Sequence, residues 1–344
     1  RGFRNLTVDK LDRINLIAGE NNVGKTALLE AIYLNCNAND PGLLLDIAGL
    51  RVFPGETRFM EDVVAWLFHD GDHSRPFELA LDDGTDRHSL TVWLPDAATS
   101  REEFPKVEQL LAGSFRVDLW DVSSPRVVMR YTDSNQAESY SAGVKTKSGV
   151  ASISAKLPWH VPCEFIGVGA PVPKHDLEHF GELEKEKRLD DVLPSLQILE
   201  PRLTRLALVP FAGQSVIHGD IGLSHLVPIP FMGEGMRSLL SIVLALATSP
   251  GGVVLIDEIE NGLHWSVLPN VWRSLVSAAR SADAQVFLTT HSWECIRAAH
   301  EVFSADACYD LRLHRLDRKN GEISVATFDR EMIDASLVMG LEMR

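Results

Sequence analysis

The chain has 344 residues, with 48 acidic against 33 basic side chains and a formal net charge of −15. That length buries a sizeable core in one large domain or two modest ones, and the acidic balance argues against a dedicated nucleic-acid binder while leaving room for a local basic patch. The longest apolar stretch, residues 239–247, is interrupted by Ser241 and is too short to cross a bilayer, and no signal-peptide pattern opens the chain, so no membrane role is expected. Cys36, Cys163, Cys295 and Cys308 lack metal or redox spacing and read as reduced thiols of a cytoplasmic protein. The first residue is Arg1 rather than Met, and a short preceding piece, the start of a first strand, is expected.

In chain order, residues 14–18 (INLIA) read as a short apolar strand, followed by a Gly-rich loop and by residues 26–32, which carry helical periodicity. Residues 75–150 differ in character. Segments 77–81 and 89–94 are strand-like and flank an Asp82-Asp83-Gly84-Thr85 turn, and further short strands are predicted at 115–120 and 126–131. Residues 175–206 are rich in Glu, Lys and Leu and read as helical, with Leu189, Val192, Leu193 and Leu196 on one face. Sustained heptads are absent, which favours a small helical lid or bundle over a coiled-coil arm. From 235 onward a helix (236–247) leads to a strand (252–256), a second helix (265–280) to a strand (285–289), and a further helix to strands near 308–316 and 322–328. Such alternation is the pattern of an α/β fold with a mainly parallel sheet. The predicted organisation is a head split between residues 1–70 and 207–344, with a β-rich lobe (71–174) and a helical segment (175–206) inserted.

Four motifs carry chemistry. Gly19-Glu20-Asn21-Asn22-Val23-Gly24-Lys25-Thr26 matches the P-loop pattern and lies between a predicted strand and a predicted helix. The glycines let the backbone curl so that its N–H groups face phosphate oxygens, and the following helix adds its positive dipole end. Lys25 is expected to reach the β- and γ-phosphates of ATP, and Thr26 to ligate Mg²⁺. A chance Gly-rich turn is the plainer reading, against which register and context both count. Val253-Val254-Leu255-Ile256 then delivers Asp257 and Glu258 to the carboxyl end of a buried strand, where α/β sheets bind ligands. Asp257 is expected to hold Mg²⁺ through water, and Glu258 to polarise the attacking water. Thr289-Thr290-His291-Ser292 ends the next strand and offers His291 as a γ-phosphate sensor, where a lone histidine is more often structural. Gly233, Glu234 and Gly235, within Met232–Ser238, open a helix and make a second anion cradle. One nucleotide has little use for two cradles from one chain, so the second suits a partner protomer's nucleotide, with a capping turn as the plain alternative.

Together these elements resemble the ABC-type ATPases of the SMC, RecF and OLD (overcoming lysogenisation defect) group. RGFRNLTVDKLDRINLIAGENNVGKTALLEAIY looks like the group's opening strands and P-loop, GEGMRSLLSIVLALA like its signature helix, VVLIDEIENGLH like its Walker B and D-loop, and TTHS like its switch histidine. The likeness covers both ends of the chain, somewhat under two-thirds of it. The signature reads MGEGM rather than LSGGQ, closer to OLD-type ATPases, and no glutamine lies between Thr26 and Lys106 to mark a Q-loop. OLD nucleases carry a C-terminal Toprim domain, whereas the sequence here stops shortly after the ATPase elements, and its end, Gly340-Leu341-Glu342-Met343-Arg344, resembles that of stand-alone OLD-like ATPases. The resemblance thus leads one to expect an ATPase that pairs with a separately encoded effector, as such ATPases do, often in anti-phage systems.

The resemblance implies an ATP- and Mg²⁺-dependent ATPase that forms a homodimer or higher homo-oligomer around ATP and regulates a separate effector, such as a nuclease or Toprim protein. Two other readings stand beside it: a RecF-like clamp whose output is DNA contact, and a scaffold that binds ATP without turnover, which the Asp257-Glu258 pair disfavours.

Overall fold

A computed structural model describes residues 2–38, 40–49, 64–82, 84–94, 126–146, 149–154, 161–167, 173–211, 213–340 and 343. Its strands are β1 (Ile14–Gly19), β2 (Phe77–Asp82), β3 (Arg87–Trp93), β4 (Arg126–Thr132), β5 (Glu138–Thr146), β6 (Gly149–Ser154), β7 (Cys163–Ile166), β8 (Arg205–Phe211), β9 (Gln214–Asp220), β10 (Val227–Pro228), β11 (Val253–Ile256), β12 (Gln285–Thr289), β13 (Leu311–Lys319) and β14 (Glu322–Phe328). The chain divides into two compact units, one of residues 1–4 and 30–161, the other of residues 5–29 and 162–344.

The larger unit is built on a six-stranded sheet of order β14-β13-β1-β12-β11-β7. All neighbours are parallel except the terminal β13–β14 hairpin. Every residue of β1 is buried, as expected of a central parallel strand covered on both faces. The register sets Ile17 beside Thr289 and Ile256 beside Leu288, so β1, β12 and β11 end at the same edge. Helices Leu268–Ser281 and Trp293–Ser304 pack Trp272, Leu275, Ile296 and Phe303 with Leu16, Val254, Val286 and Leu313 of the sheet into one core. Local signals start and stop these helices. Ser292 accepts the Cys295 N–H at one N-terminus and Asp329 the Met332 N–H at another, and Gly340, at φ 63°, closes helix Arg330–Met339.

A second core of this unit gathers helices Pro173–Glu186 and Leu189–Gln197, the three-stranded antiparallel sheet β10-β9-β8 and helix Glu234–Thr248. Phe180, Leu183, Val192, Leu196, Ile217 and Leu240 are among its buried residues. The smaller unit holds the antiparallel meander β2-β3-β4-β5-β6, on which Leu90, Val92, Met129 and Tyr131 pack with Leu34, Leu44 and Phe68. Within it, His88 Nε2 and Asn35 Oδ1 lie 2.8 Å apart, a buried polar pair.

The architecture is α/β with a mainly parallel sheet and a β-rich unit, as the alternation predicted. The boundaries differ. Cys163–Ile166, placed in the β-rich lobe by the sequence, is an edge strand of the parallel sheet, paired with β11. Four residues carry too little periodicity to reveal a non-local partner. The helices of 173–197 are not separate from the head, because they share a core with helix Glu234–Thr248. Residues 1–70 do not stay together either; the division falls at Leu29, inside helix Lys25–Cys36. The strand expected at 115–120 lies outside the described residues. Among the described residues, no helix is long and apolar enough to cross a membrane.

Trp272 is fully buried in the main core, edge-on to Phe303. Trp272→Ala is expected to destabilise the fold by about 3–5 kcal/mol through the cavity it leaves. Urea denaturation followed by circular dichroism measures this, and an unchanged midpoint would contradict the packing described.

Candidate functional site

β1 runs directly into the loop 19–24, and helix Lys25–Cys36 follows at once. The loop curls because three of its residues take positive φ: Gly19 at 143°, Asn22 at 60° and Gly24 at 107°. Gly19 is also pressed on its neighbour strand, and a Cβ added there would lie 2.6 Å from the Leu316 carbonyl oxygen, so only glycine fits. The first N–H groups of the helix have no partner within it and face outward from its N-terminus.

Lys25 is buried, and its Nζ donates to the carbonyl oxygens of Gly19 (2.7 Å) and Glu20 (2.9 Å) of its own loop. Burial lowers its pKa, while the charges of Asp257, Glu258 and Glu260 act in the opposite direction. Three carboxylates from the single segment after β11 therefore act on the lysine.

Asp257 follows β11 and links all three strand ends. Thr26 Oγ1 donates to its Oδ2 at 2.9 Å and Thr289 Oγ1 to its Oδ1 at 2.5 Å. The same Thr289 hydroxyl accepts the Glu258 N–H at 2.7 Å. Glu258 has φ 54°, a left-handed conformation that costs a non-glycine residue on the order of 1 kcal/mol or more and gathers at functional sites. His291, just beyond β12, sets Nε2 2.8 Å from Glu258 Oε1, and its backbone N–H donates to Glu260 Oε1 at 2.7 Å. Among the described residues, Glu260 Oε2 and His291 Nδ1 are buried without a hydrogen-bond partner.

The sequence-predicted residues of the loop, Lys25, Thr26, Asp257, Glu258 and His291 thus meet at one sheet edge. The donor set suits the groups the motifs imply. Thr26 Oγ1 and Asp257 Oδ2, 2.9 Å apart, are hard oxygen donors of the kind that could hold Mg²⁺, directly or through its waters. The loop and helix N-terminus offer backbone donors to phosphate oxygens. Gly233, Glu234 and Gly235 lie at a different place, the N-terminus of helix Glu234–Thr248, where Gly233 is exposed at φ 102°. That terminus packs on the loop after Glu258: a Cβ on Gly235 would lie 3.3 Å from Leu263 Cδ2, and one on Gly262 would lie 2.5 Å from Glu234 Cγ.

Sequence reading left three residues without roles. Thr289 and Glu260 stand inside motifs it named, where a second hydroxyl and a third carboxylate were the available signals. Arg318, whose Nη2 donates to the Asn22 carbonyl at 2.7 Å, gave none, because the contact spans most of the chain.

Thr289→Val keeps the volume but strands an Asp257 oxygen and the Glu258 N–H. Destabilisation of about 1–3 kcal/mol is expected, with Thr289→Ser close to the native protein. Denaturant titration of both variants checks this, and equal stability of Val and native forms would remove the bridging role of the hydroxyl.

The chain is similar to a Helicobacter pylori protein named "ATP/GTP phosphatase", 19% identical over 358 aligned residues that cover 97% of this chain and 94% of the relative. A Methanocaldococcus jannaschii protein, MJECL11, is 34% identical over 116 residues, covering 33% of this chain and 99% of its own length. Among solved structures, the SMC head bound to the C-terminal winged-helix domain of ScpA aligns with a TM-score of 0.48 at 14% identity, covering 99% of this chain and 98% of that one. The SMC head domain from Thermotoga maritima aligns with a TM-score of 0.41 at 13% identity, covering 96% and 97%. Residues 14–296 match the family described as "AAA domain, putative AbiEii toxin, Type IV TA system", and the chain belongs to that family.

Proposed function

We propose that the protein hydrolyses ATP to ADP and phosphate. The observation that carries this reading is the meeting of Lys25, the Thr26–Asp257 pair and the Glu258–His291 pair at the ends of three adjacent strands. A relative named "ATP/GTP phosphatase" is in keeping with it. In this scheme the loop N–H groups and Lys25 bind the β- and γ-phosphates. Thr26 and Asp257 would hold Mg²⁺, which neutralises charge on the phosphate oxygens. Glu258 orients a water and takes its proton as the new bond to the γ-phosphorus forms and the bond to the bridging oxygen breaks. Phosphoryl transfer depends largely on such positioning and charge stabilisation. His291, hydrogen-bonded to Glu258, fixes the direction of that carboxylate and senses the γ-phosphate.

The assembly we propose is an ATP-dependent homodimer, in which Gly233, Glu234 and Gly235 face the other protomer's nucleotide. Phe231 and Trp265, 73% and 61% exposed, belong to the segments that lead into and out of this surface. A two-fold pair would let each protomer give one cradle and receive the other. The regulated output is a separately encoded effector of the kind found beside stand-alone OLD-like ATPases, in anti-phage defence. A DNA-clamp output is the weaker reading, since the net charge is −15.

Lys25→Ala is expected to weaken ATP binding and abolish turnover, and Glu258→Gln to retain binding while turnover falls by at least about a hundredfold. Steady-state phosphate release and nucleotide titration test both; near-native hydrolysis by either variant would remove the role assigned to that residue. For assembly, Glu258→Gln should sediment as a dimer with ATP and as a monomer without it, because a ligand that binds the associated form better stabilises it. Sedimentation as a monomer under both conditions would sink the dimer.

A further inference from the structure

We infer that Arg318 is a positioning residue for nucleotide binding, an anchor that holds the phosphate loop in its curled form from the strand on the far side of β1. The inference rests on the phosphate-binding reading of that loop.

The base of the anchor lies in paired strands. Arg318 lies near the end of β13, paired with Ile323 of β14 across a tight turn in which Asn320 and Gly321 both have positive φ. β13 runs parallel to β1, with Leu316 beside Gly19, so the tip of this hairpin stands next to the loop's origin. From there the guanidinium reaches the Asn22 carbonyl at 2.7 Å. Asn22 itself is left-handed, at φ 60°. The next peptide N–H, of Val23, donates to the Glu20 carbonyl at 3.4 Å. Carbonyl and N–H belong to one planar trans unit. That unit is therefore held at both ends, by Arg318 outside the loop and by Glu20 within it. Its orientation decides where the following N–H groups of Gly24, Lys25 and Thr26 point.

The contact is solvent-exposed, and two features favour a role for it in holding the loop. Lys25 Nζ ties Gly19 and Glu20, and a lysine drawn to phosphate gives up both ties. The Arg318 bond does not compete with phosphate for Lys25 and can persist through binding. Arg318 also has no carboxylate partner among the described residues; the neighbouring Asp317 is taken by Arg315 at 2.9 Å. In a chain of net charge −15, the end of β13 beside the loop thus carries two successive exposed cations, Arg318 and Lys319. A positive rim favours a polyanionic ligand.

The test is equilibrium titration of ATP and ADP with the native protein, Arg318→Met, Arg318→Lys and Lys25→Ala, together with turnover at saturating ATP. Arg318→Met should bind both nucleotides about tenfold more weakly, the scale of a lost charge-assisted hydrogen bond. Its turnover at saturation should stay within about twofold of native, since binding rather than the chemical step is affected. Arg318→Lys, which keeps the charge and a donor, should recover much of the affinity. Native-like affinity in Arg318→Met with a loss in Lys25→Ala would overturn the role of Arg318 and leave the loop assignment standing. A loss confined to ATP would overturn it as well, because a loop anchor acts on every phosphate the loop holds. Native-like affinity in Lys25→Ala would remove the loop assignment, and this inference with it.

Discussion

The site is organised around one carboxylate. Asp257 accepts a hydroxyl hydrogen bond on each oxygen, from Thr26 at the start of the first helix and from Thr289 at the end of β12. Those bonds exist only because β1, β12 and β11 are adjacent, parallel and in a register that ends them level. A shift of one residue in either pairing would move a hydroxyl away from Asp257 and turn its side chain to the other face of the sheet. The apolar core on the face of the sheet that Leu16, Val254 and Leu288 share, all three fully buried, specifies that register. Chemistry at the edge is thereby fixed by packing in the middle.

The same dependence explains the strained residue beside it. Glu258 holds a left-handed backbone that would be unfavourable in isolation. Its N–H is satisfied by Thr289 Oγ1, its carbonyl accepts the Asn261 N–H at 2.9 Å, and the Ile259 N–H returns to the Thr289 carbonyl at 3.1 Å. The chain thus turns sharply off β11 with its polar groups paired. The turn directs one carboxylate at Thr26 and Thr289 and the next at His291. Two successive acidic residues acquire different surroundings, and different roles can follow from them.

An unbroken path of packed groups joins this pair to the second helix N-terminus. Glu260 accepts the His291 N–H, Gly262 lies against Glu234, and Leu263 lies against Gly235. Gly262, at φ 70°, makes the approach possible, since a side chain there would collide with Glu234. Contiguity of this kind offers a physical route between the two places.

Much of this was legible in the sequence. The loop from Gly19 to Thr26, the apolar strand ending in Asp257 and Glu258, and the helices after 234 follow from local chemistry: backbone freedom at glycine, apolar runs of strand length and the 3.6-residue period. His291 was readable from its place one strand beyond the carboxylates. What the sequence could not determine was non-local. Cys163–Ile166 is too short to declare its pairing with β11, and residues 173–197 look separable until their apolar face meets helix Glu234–Thr248. Thr289 and Glu260 became more than motif neighbours only when β11 and β12 came side by side, and Arg318 only when β13 was laid against β1. Local periodicity records which residues want burial. The order of strands in a sheet, and with it which side chains share an edge, is decided by burial of the whole core, which only the tertiary structure resolves.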